Sequence, residues 1–408
     1  MQVPNSQESL IIKGCFAIIP GFGETGKPYG KLIKTREMLQ NIMPEETCNF
    51  EHFNPDFIAQ KLGIYSVACT NTTLDICREF WQNKEKYTLA MAFVLSQSRT
   101  NLVLYEMLEQ AIANCLATAQ QNSNSHSLPQ ISAHIHIVTF VAPNIEYELA
   151  EIRRRLEISG QKPLTTIILQ QGCAGLIVAL KLAQVIVSSF QDIDKENVLI
   201  TSENNMMIHA HQRFPFFRKN IDTWLWPAIF GEGVGAIIAS GSSKDLCPGG
   251  IHWKVDKLSI EPITNCWHVS HQYHDEAPNY TTVYIRTREV PQTYLRGVEK
   301  NARIGIDYYN GLKNIFRICL HESNPLLLKQ AAFNLHIPMD IIPSISAKTG
   351  TLACVSSFSL LHKVNEDLKK VIQNNSLLLT QKNKLVFSLV GEALGRIEAG
   401  HICLSLIQ

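Results

Sequence analysis

The strongest chemical signal in the sequence sits in one short stretch, QQGCAGLIVALKLA, where Cys173 stands between Gly172 and Gly175. It lies at the junction of an apolar strand-like run, TTIIL (165–169), and an apolar helical pattern. A thiol at the start of a helix meets unpaired backbone N–H groups and the positive end of the helix dipole, so its thiolate is favoured and its pKa is expected to fall. Flanking glycines let an acyl chain approach the backbone closely, and the Cys173 amide is available as an oxyanion donor. The chemistry that follows is nucleophilic attack on an activated acyl group. Cys15, Cys69, Cys115, Cys319 and Cys403 differ in lying inside apolar runs, and the odd total of 11 fits buried reduced thiols better than a disulfide framework.

Two other stretches imitate functional motifs. GFGETGK (21–27) fits both GxGxxG and GxxxxGK, but Pro28 stands where a phosphate loop needs Ser or Thr, and the following PYGK opens no long helix. It reads as a glycine-rich turn. CWHVSHQYHDE places His268, His271 and His274 three apart beside Cys266, Asp275 and Glu276. On a helix these would share a face and suit a transition metal, but the segment has few helix formers and ends at Ala-Pro, so it reads as a polar loop. His134 with His136, and His209 with His211, are pairs two apart to which the sequence assigns no role.

The elements that must position Cys173 follow an α/β alternation. Strands are expected at 10–19, 135–141 and 165–169, a helix around 104–120, and a polar surface loop from Asn122 to Ser127. Asn144 is placed to cap a helix carrying Ile145, Leu149, Ile152 and Leu156 on one face, and Gly160 to end it. From about Cys173 to Val187 the helix has no polar face, which predicts burial on all sides. The second half repeats the order: RICLH (317–321) answers IHIVTFV (135–141), the small-residue helix near 351–363 answers the Cys173 helix, KLVFSLVG (384–391) answers NVLITS (197–202), and HICLSLI (401–407) answers GVGAIIAS (233–240). Two similar α/β halves, 1–250 and 251–408, are expected to pack their buried helices between two sheets, with a ligand cleft at the junction.

Composition narrows the function further. The 408 residues, 45% hydrophobic and 18% charged, with 17 Phe and a mean hydropathy of -0.01, describe a folded chain rather than a disordered one. Lys plus Arg number 37 against 36 for Asp plus Glu, so no charge excess favours nucleic acid or an acidic membrane. The start, MQVPNSQESLIIKGC, lacks a secretory pattern, and LIVALKLAQVIV is interrupted by Lys181 and Gln184, too short to span a bilayer. A soluble cytoplasmic protein is expected.

Against this background the sequence resembles the thiolase superfamily, and within it ketoacyl-ACP synthase III. GCAG around Cys173 is similar to that family's nucleophile signature, and FGEGVGAIIAS (230–240) to its FGDGAGA segment, with Glu232 for Asp. HESN (321–324) resembles HQAN, so His321 matches the catalytic histidine and Asn324 the last residue of the motif. SLVGEALG (388–395) resembles the glycine-rich C-terminal loop, keeping Gly391 and Gly395 with Ala393 at a middle glycine. One position departs: the ungapped match to YGNTSAAS is TGTLACVS (349–356), which puts Thr351 where the family has its catalytic Asn.

The resemblance implies a five-layered αβαβα fold built from two similar halves, with Cys173, His321 and Thr351 as the catalytic set. It assigns Gly391, Ala393 and Gly395 to the oxyanion loop, with Gly175 and Asn324 in support. It calls for no cofactor or metal. Acyl transfer would start from an acyl-CoA or an acyl carrier protein, in a homodimer or in a heterodimer with a ketosynthase-like subunit, for fatty-acid, polyketide or other secondary-metabolite synthesis. In the family, His and Asn stabilise the enolate of a decarboxylating malonyl thioester, so Thr351 puts that step in question while leaving acyl loading on Cys173 intact. A catalytically reduced partner subunit is the alternative.

Overall fold

The computed structural model describes residues 9–42, 55–82, 89–124, 127–139, 141–142, 144–158, 164–204, 229–263, 269–274, 277–285, 290–374, 382–393 and 396–407. Nine of its strands join in one sheet: β1 (Ile11–Ile18), β2 (Gln130–Val138), β3 (Thr165–Gln170), β4 (Glu196–Asn204), β5 (Gly233–Ser240), β6 (His252–Ile263), β7 (Ile315–Leu320), β8 (Lys384–Ala393) and β9 (Arg396–Ile407). Their order is β7-β8-β9-β6-β1-β5-β4-β2-β3. From the outer edge inward, the first half runs β3, β2, β4, β5, β1; the second half repeats the last four places as β7, β8, β9, β6, and lacks only an outermost strand among the described residues. Directions repeat too, with β2 and β4 parallel like β7 and β8, and β5 antiparallel to β4 as β9 is to β8. The segments that the sequence matched across the halves occupy equivalent places.

The two half-sheets touch along a short seam, Ile11 opposite Lys254 and Ile12 opposite Trp253. What holds them together is the layer between them. Helices α3 (Gly175–Val187) and α6 (Ser356–Asn374) bury apolar residues against both half-sheets: Leu176, Ile177, Leu180, Phe358, Leu361 and Val364 belong to one core with Ile135, Ile200 and Ile237 of the first half and Phe387, Ile402 and Leu404 of the second. Two glycines on equivalent strands make room. A Cβ at Gly235 of β5 would stand 2.5 Å from Phe358 Cβ of α6, and one at Gly400 of β9 would stand 2.8 Å from Ile177 Cδ1 of α3. Outside, α1 (Leu89–Gln121) and α2 (Ile145–Arg155) cover the first half-sheet, while α4 (Val290–Tyr308) and α5 (Pro325–Asn334) cover the second, each with its own core. The result is five layers, αβαβα. Strands covered on both faces have no polar face to show, which explains why β4 and β5 are buried along their whole length.

Several local expectations change. Asn144 precedes α2 in a left-handed conformation, φ 60°, and its side chain makes no cap hydrogen bond; asparagine tolerates that conformation, and the chain uses this rather than its capping oxygen. Gly160 lies outside the described residues. α3 is not buried all round, since Val185 is 68% exposed and Lys181, one turn earlier, reaches solvent too. That edge of the helix passes the border of the core. The 122–127 segment is not simply a surface loop, because Asn122 Nδ2 donates to the Lys13 and Ile251 carbonyls and Ser123 is buried against Asp245. Cys15, Cys69, Cys115, Cys319 and Cys403 are buried free thiols as expected.

His134 and His136 of β2 share Thr201 of β4 on the face covered by α1 and α2. His134 Nε2 lies 2.6 Å and His136 Nδ1 2.7 Å from the Thr201 hydroxyl, and Arg153 Nη1 lies 2.9 Å from His134 Nδ1. Arg donates only, so His134 accepts at Nδ1 and donates from Nε2, and the Thr201 hydroxyl donates its own proton to His136 Nδ1. Both rings are thereby fixed as neutral. Burial, reinforced by neighbouring His136 and Arg153, holds the pKa of His134 well below the usual histidine range, and burial with the Arg153 charge brings His136 down to about 3.

In the unfolded chain these rings protonate near pH 6.5, so below that value the unfolded state binds more protons and stability falls as the pH drops towards 3. Thermal midpoints measured over that range should decline, by an amount worth a few kcal/mol at the acid end. His136→Asn, whose amide oxygen replaces Nδ1 and does not titrate, should flatten the decline. Parallel curves for the two proteins would show that His136 is not the titrating group.

Candidate active site

The site lies where the C-terminal ends of strands from both halves meet the start of α3. β3 ends at Gln170, and the Gln171 N–H donates to the Val138 carbonyl at 3.0 Å, prolonging the β2–β3 pairing by one residue. The Gly175 N–H donates to the Gly172 carbonyl at 2.8 Å, closing a tight turn that holds Cys173 just ahead of the helix. Cys173 is partly buried and packs on the outer core of the second half, with Val390, Leu320 and Tyr294. Gly175 sits tight against β2 of the first half. A Cβ there would lie 2.5 Å from Ile137 Cγ2, so the first residue of α3 must be bare to rest on β2.

Gly391 comes from the other half. Its Cα faces the Cys173 turn so closely that a Cβ would stand 2.3 Å from the Ala174 nitrogen and 2.8 Å from the Cys173 nitrogen. No side chain fits between these two backbones. Ala393 ends β8, paired with Arg396 of β9, while Gly395 lies outside the described residues. β8 and β9 thus form an antiparallel arm, and its Gly391 reaches the Cys173 turn.

His321 follows β7 directly. Its N–H donates to the Ser388 carbonyl at 2.8 Å, its ring lies 5.1 Å from that of Tyr294, and it is 5% exposed. Burial pushes its pKa down to about 4, so near neutrality it is an uncharged imidazole with one N–H to give and one lone pair to receive. Asn324 acts as the cap of α5: its Oδ1 accepts from the Leu326 and Leu327 amides at 3.1 and 2.9 Å, with Pro325 in the first turn. This fixes the direction in which the chain leaves His321.

Between them stands Glu322, which nothing in the sequence singled out. It is 1% exposed, and its Oε1 accepts from the Ile345 and Ser346 amides at 2.9 and 3.2 Å and from the hydroxyls of Ser344 and Ser346. Burial raises its pKa, and those four donors oppose the rise. The carboxylate anchors the segment leading to Thr351, whose hydroxyl donates to the Glu322 carbonyl at 2.7 Å. Thr351 therefore stands one peptide from His321, with its single proton already engaged. Its backbone is locked as well, by Thr351 N–H to Ile229 carbonyl at 2.7 Å and Gly231 N–H to Thr351 carbonyl at 3.0 Å. Glu232, next along, is fully buried, accepting from the Thr70 amide and the Thr73 hydroxyl at the start of the helix Asn71–Gln82. Burial lifts its pKa to about 7 against the pull of these bonds.

The imitating motifs stay outside this site. GFGETGK contains one helical turn, Gly23–Gly26, with the Gly21 N–H donating to the Gly26 carbonyl at 2.8 Å and exposed Lys27 paired to Glu24. It is a turn. His271 and His274 lie on a strand, Val269–His274, paired with Ala277–Ile285, where a loop was expected. His268, Cys266, Asp275, Glu276, His209 and His211 lie outside the described residues. Among the described residues no three His, Cys, Asp or Glu side chains are grouped to hold a metal, and no helix is long and apolar enough to cross a membrane.

Comparison with known proteins places this geometry in a class. No family model and no curated protein sequence matches the chain. Solved structures do. Polyketide synthase PKS-I from the brown alga Ectocarpus siliculosus aligns over 99% of this chain and all of its own, at 14% identity and a TM-score of 0.71. 3-Oxoacyl-[acyl-carrier-protein] synthase III from Aquifex aeolicus aligns over 97% of this chain and 99% of its own, at 15% identity and a TM-score of 0.62. OleA from Xanthomonas campestris, a cysteine-to-serine variant solved with lauric acid and lauroyl-CoA, aligns over 98% of this chain and all of its own, at 10% identity and a TM-score of 0.67. The protein has the thiolase fold.

The Gly391 contact can be tested directly. Gly391→Ala forces a methyl group against backbone that cannot rotate away, which should cost about 1–3 kcal/mol in urea unfolding and slow thioester loading on Cys173 about 100-fold through displacement of the turn. Unchanged stability and loading would mean that the two backbones do not touch in solution.

Proposed function

We propose that the protein is a thiolase-type acyltransferase, a ketosynthase-like condensing enzyme that loads an acyl group from a thioester onto Cys173 and passes it to a second substrate. The supporting observation is the meeting of Cys173, at the start of α3, with Gly391 from the opposite half, on the strand whose Ser388 carbonyl holds the N–H of a neutral His321. The Cys173 sulfur attacks the thioester carbonyl, and the Cys173 amide with a second amide from the arm beginning at Gly391 receives the oxyanion. Collapse of that intermediate expels the donor thiol and leaves an S-acyl enzyme. A carbon, oxygen or nitrogen nucleophile then attacks the acyl carbon and releases Cys173, with the uncharged His321 exchanging the proton. The donor is an acyl-CoA or an acyl carrier protein, in keeping with the substrates named for the Aquifex and Xanthomonas structures. The halves 1–250 and 251–408 act as one catalytic body, and β3, a partly exposed edge strand carrying Thr165–Gln170, is the natural seam for a homodimer.

Thr351 shapes the second step. Its hydroxyl proton is committed to the Glu322 carbonyl, so it is not available to an enolate oxygen, and decarboxylation of a malonyl unit is expected to be weak. The same bond favours a second reading, a catalytically reduced partner of an active ketosynthase. Retention of both Cys173 and His321 favours the enzyme.

Two measurements decide. Intact-protein mass after incubation with a panel of acyl-CoAs should show one adduct, mapped to Cys173 and lost in Cys173→Ser; an adduct that persists in that variant removes Cys173 as the nucleophile. Carbon dioxide release from malonyl-CoA should run about 100-fold or more below the loading rate, the typical effect of a missing oxyanion donor, and Thr351→Asn should raise it. Wild-type release as fast as loading would overturn the role given to Thr351.

A further inference from the structure

Gly391 and its strand partner mark out more than a steric contact. Gly391 of β8 stands directly opposite Glu398 of β9, and residues opposite one another in an antiparallel pair project to the same face. The bare face of Gly391 looks at the Cys173 turn, so the Glu398 side chain points there too, and two residues on Gly400 faces Ile177 of α3. Glu398 is 6% exposed, and its Oε2 accepts a hydrogen bond from Gln171 Nε2 at 2.6 Å. Gln171 is two residues before Cys173, and its own N–H is held by the Val138 carbonyl. One side chain of the second half thus grips the segment that carries the nucleophile of the first.

We propose that Glu398 is a positioning residue which, through Gln171, holds the Cys173 turn against Gly391 and so sets the spacing between the two backbones that receive the oxyanion. The inference rests on Cys173 being the nucleophile. Packing alone brings α3 to the sheet, but apolar contact is non-directional and does not fix where the turn ahead of the helix sits along β8. A charge-assisted hydrogen bond does, because the amide and the carboxylate meet in one geometry.

The test separates geometry from charge. Glu398→Gln keeps an acceptor for Gln171 and should load acyl groups within about threefold of wild type. Glu398→Ala removes it, and single-turnover loading of Cys173 should fall about 10- to 100-fold with KM for the acyl-CoA little changed, while amide exchange at 171–175 speeds up. Gln171→Glu sets two carboxylates against each other and should be at least as slow; adding Glu398→Gln to it restores a bond of reversed polarity and should recover most of the lost rate. Loading and exchange in Glu398→Ala equal to wild type, or a double variant no faster than Gln171→Glu, would overturn the proposal. If wild-type Cys173 loads no thioester at all, the acyltransferase reading falls, and the exchange rates at 171–175 still judge the clamp.

Discussion

Two helices that must be apolar on opposite sides determine most of this molecule. α3 and α6 lie between half-sheets that meet directly along a short seam, two residue pairs and the Val255 N–H donating to the Leu10 carbonyl. Their burial removes from water the inner faces of both sheets at once, which is the main favourable term available to a chain of this composition. Everything near them is then forced to be small or apolar. Gly235 admits Phe358, Gly400 admits Ile177, and Gly175 admits Ile137.

The same constraint creates the site. A helix packed on both sides by sheets exposes its first turn only at the sheet ends, and at that end the turn ahead of α3 meets a strand end from the other half. Cys173, His321 and Thr351 come from three different connections and Gly391 from a strand, tied down by buried polar groups: Gln171 to Glu398, His321 N–H to Ser388, Thr351 to Glu322, and Thr351 again to the 229–231 segment. The polar groups commit their hydrogen bonds to position, and the apolar layer excludes water.

How much of this was legible follows from the range of each interaction. Doubly covered strands leave continuous apolar runs, so β1, β7 and the repeated order of the halves were readable, and Cys173 announced itself through the glycines around it. The resemblance then placed His321, Thr351 and Gly391. What could not be read is set by contacts distant in sequence. Gln171 and Glu398 are separated by 227 positions, and neither residue looks unusual in its own neighbourhood. Glu322 beside His321 reads as an ordinary polar residue until the 344–346 segment closes over it. Asn144 misled because an asparagine ahead of a helix has two uses, and only the backbone angle distinguishes them. Gly175 is legible as a place of close approach, and the contact with Ile137, 38 positions away, is not.

The short seam between the half-sheets also bears on how the protein comes apart. A duplicated architecture invites the picture of two units that melt one after the other. Here neither half owns a complete core, because α3 of the first is capped by β6 and β9 of the second, and α6 of the second by β1 and β5 of the first. Detaching either half would leave a whole apolar helix face in water. The duplication is visible in topology, while the packing of the central layer makes one core of the two halves.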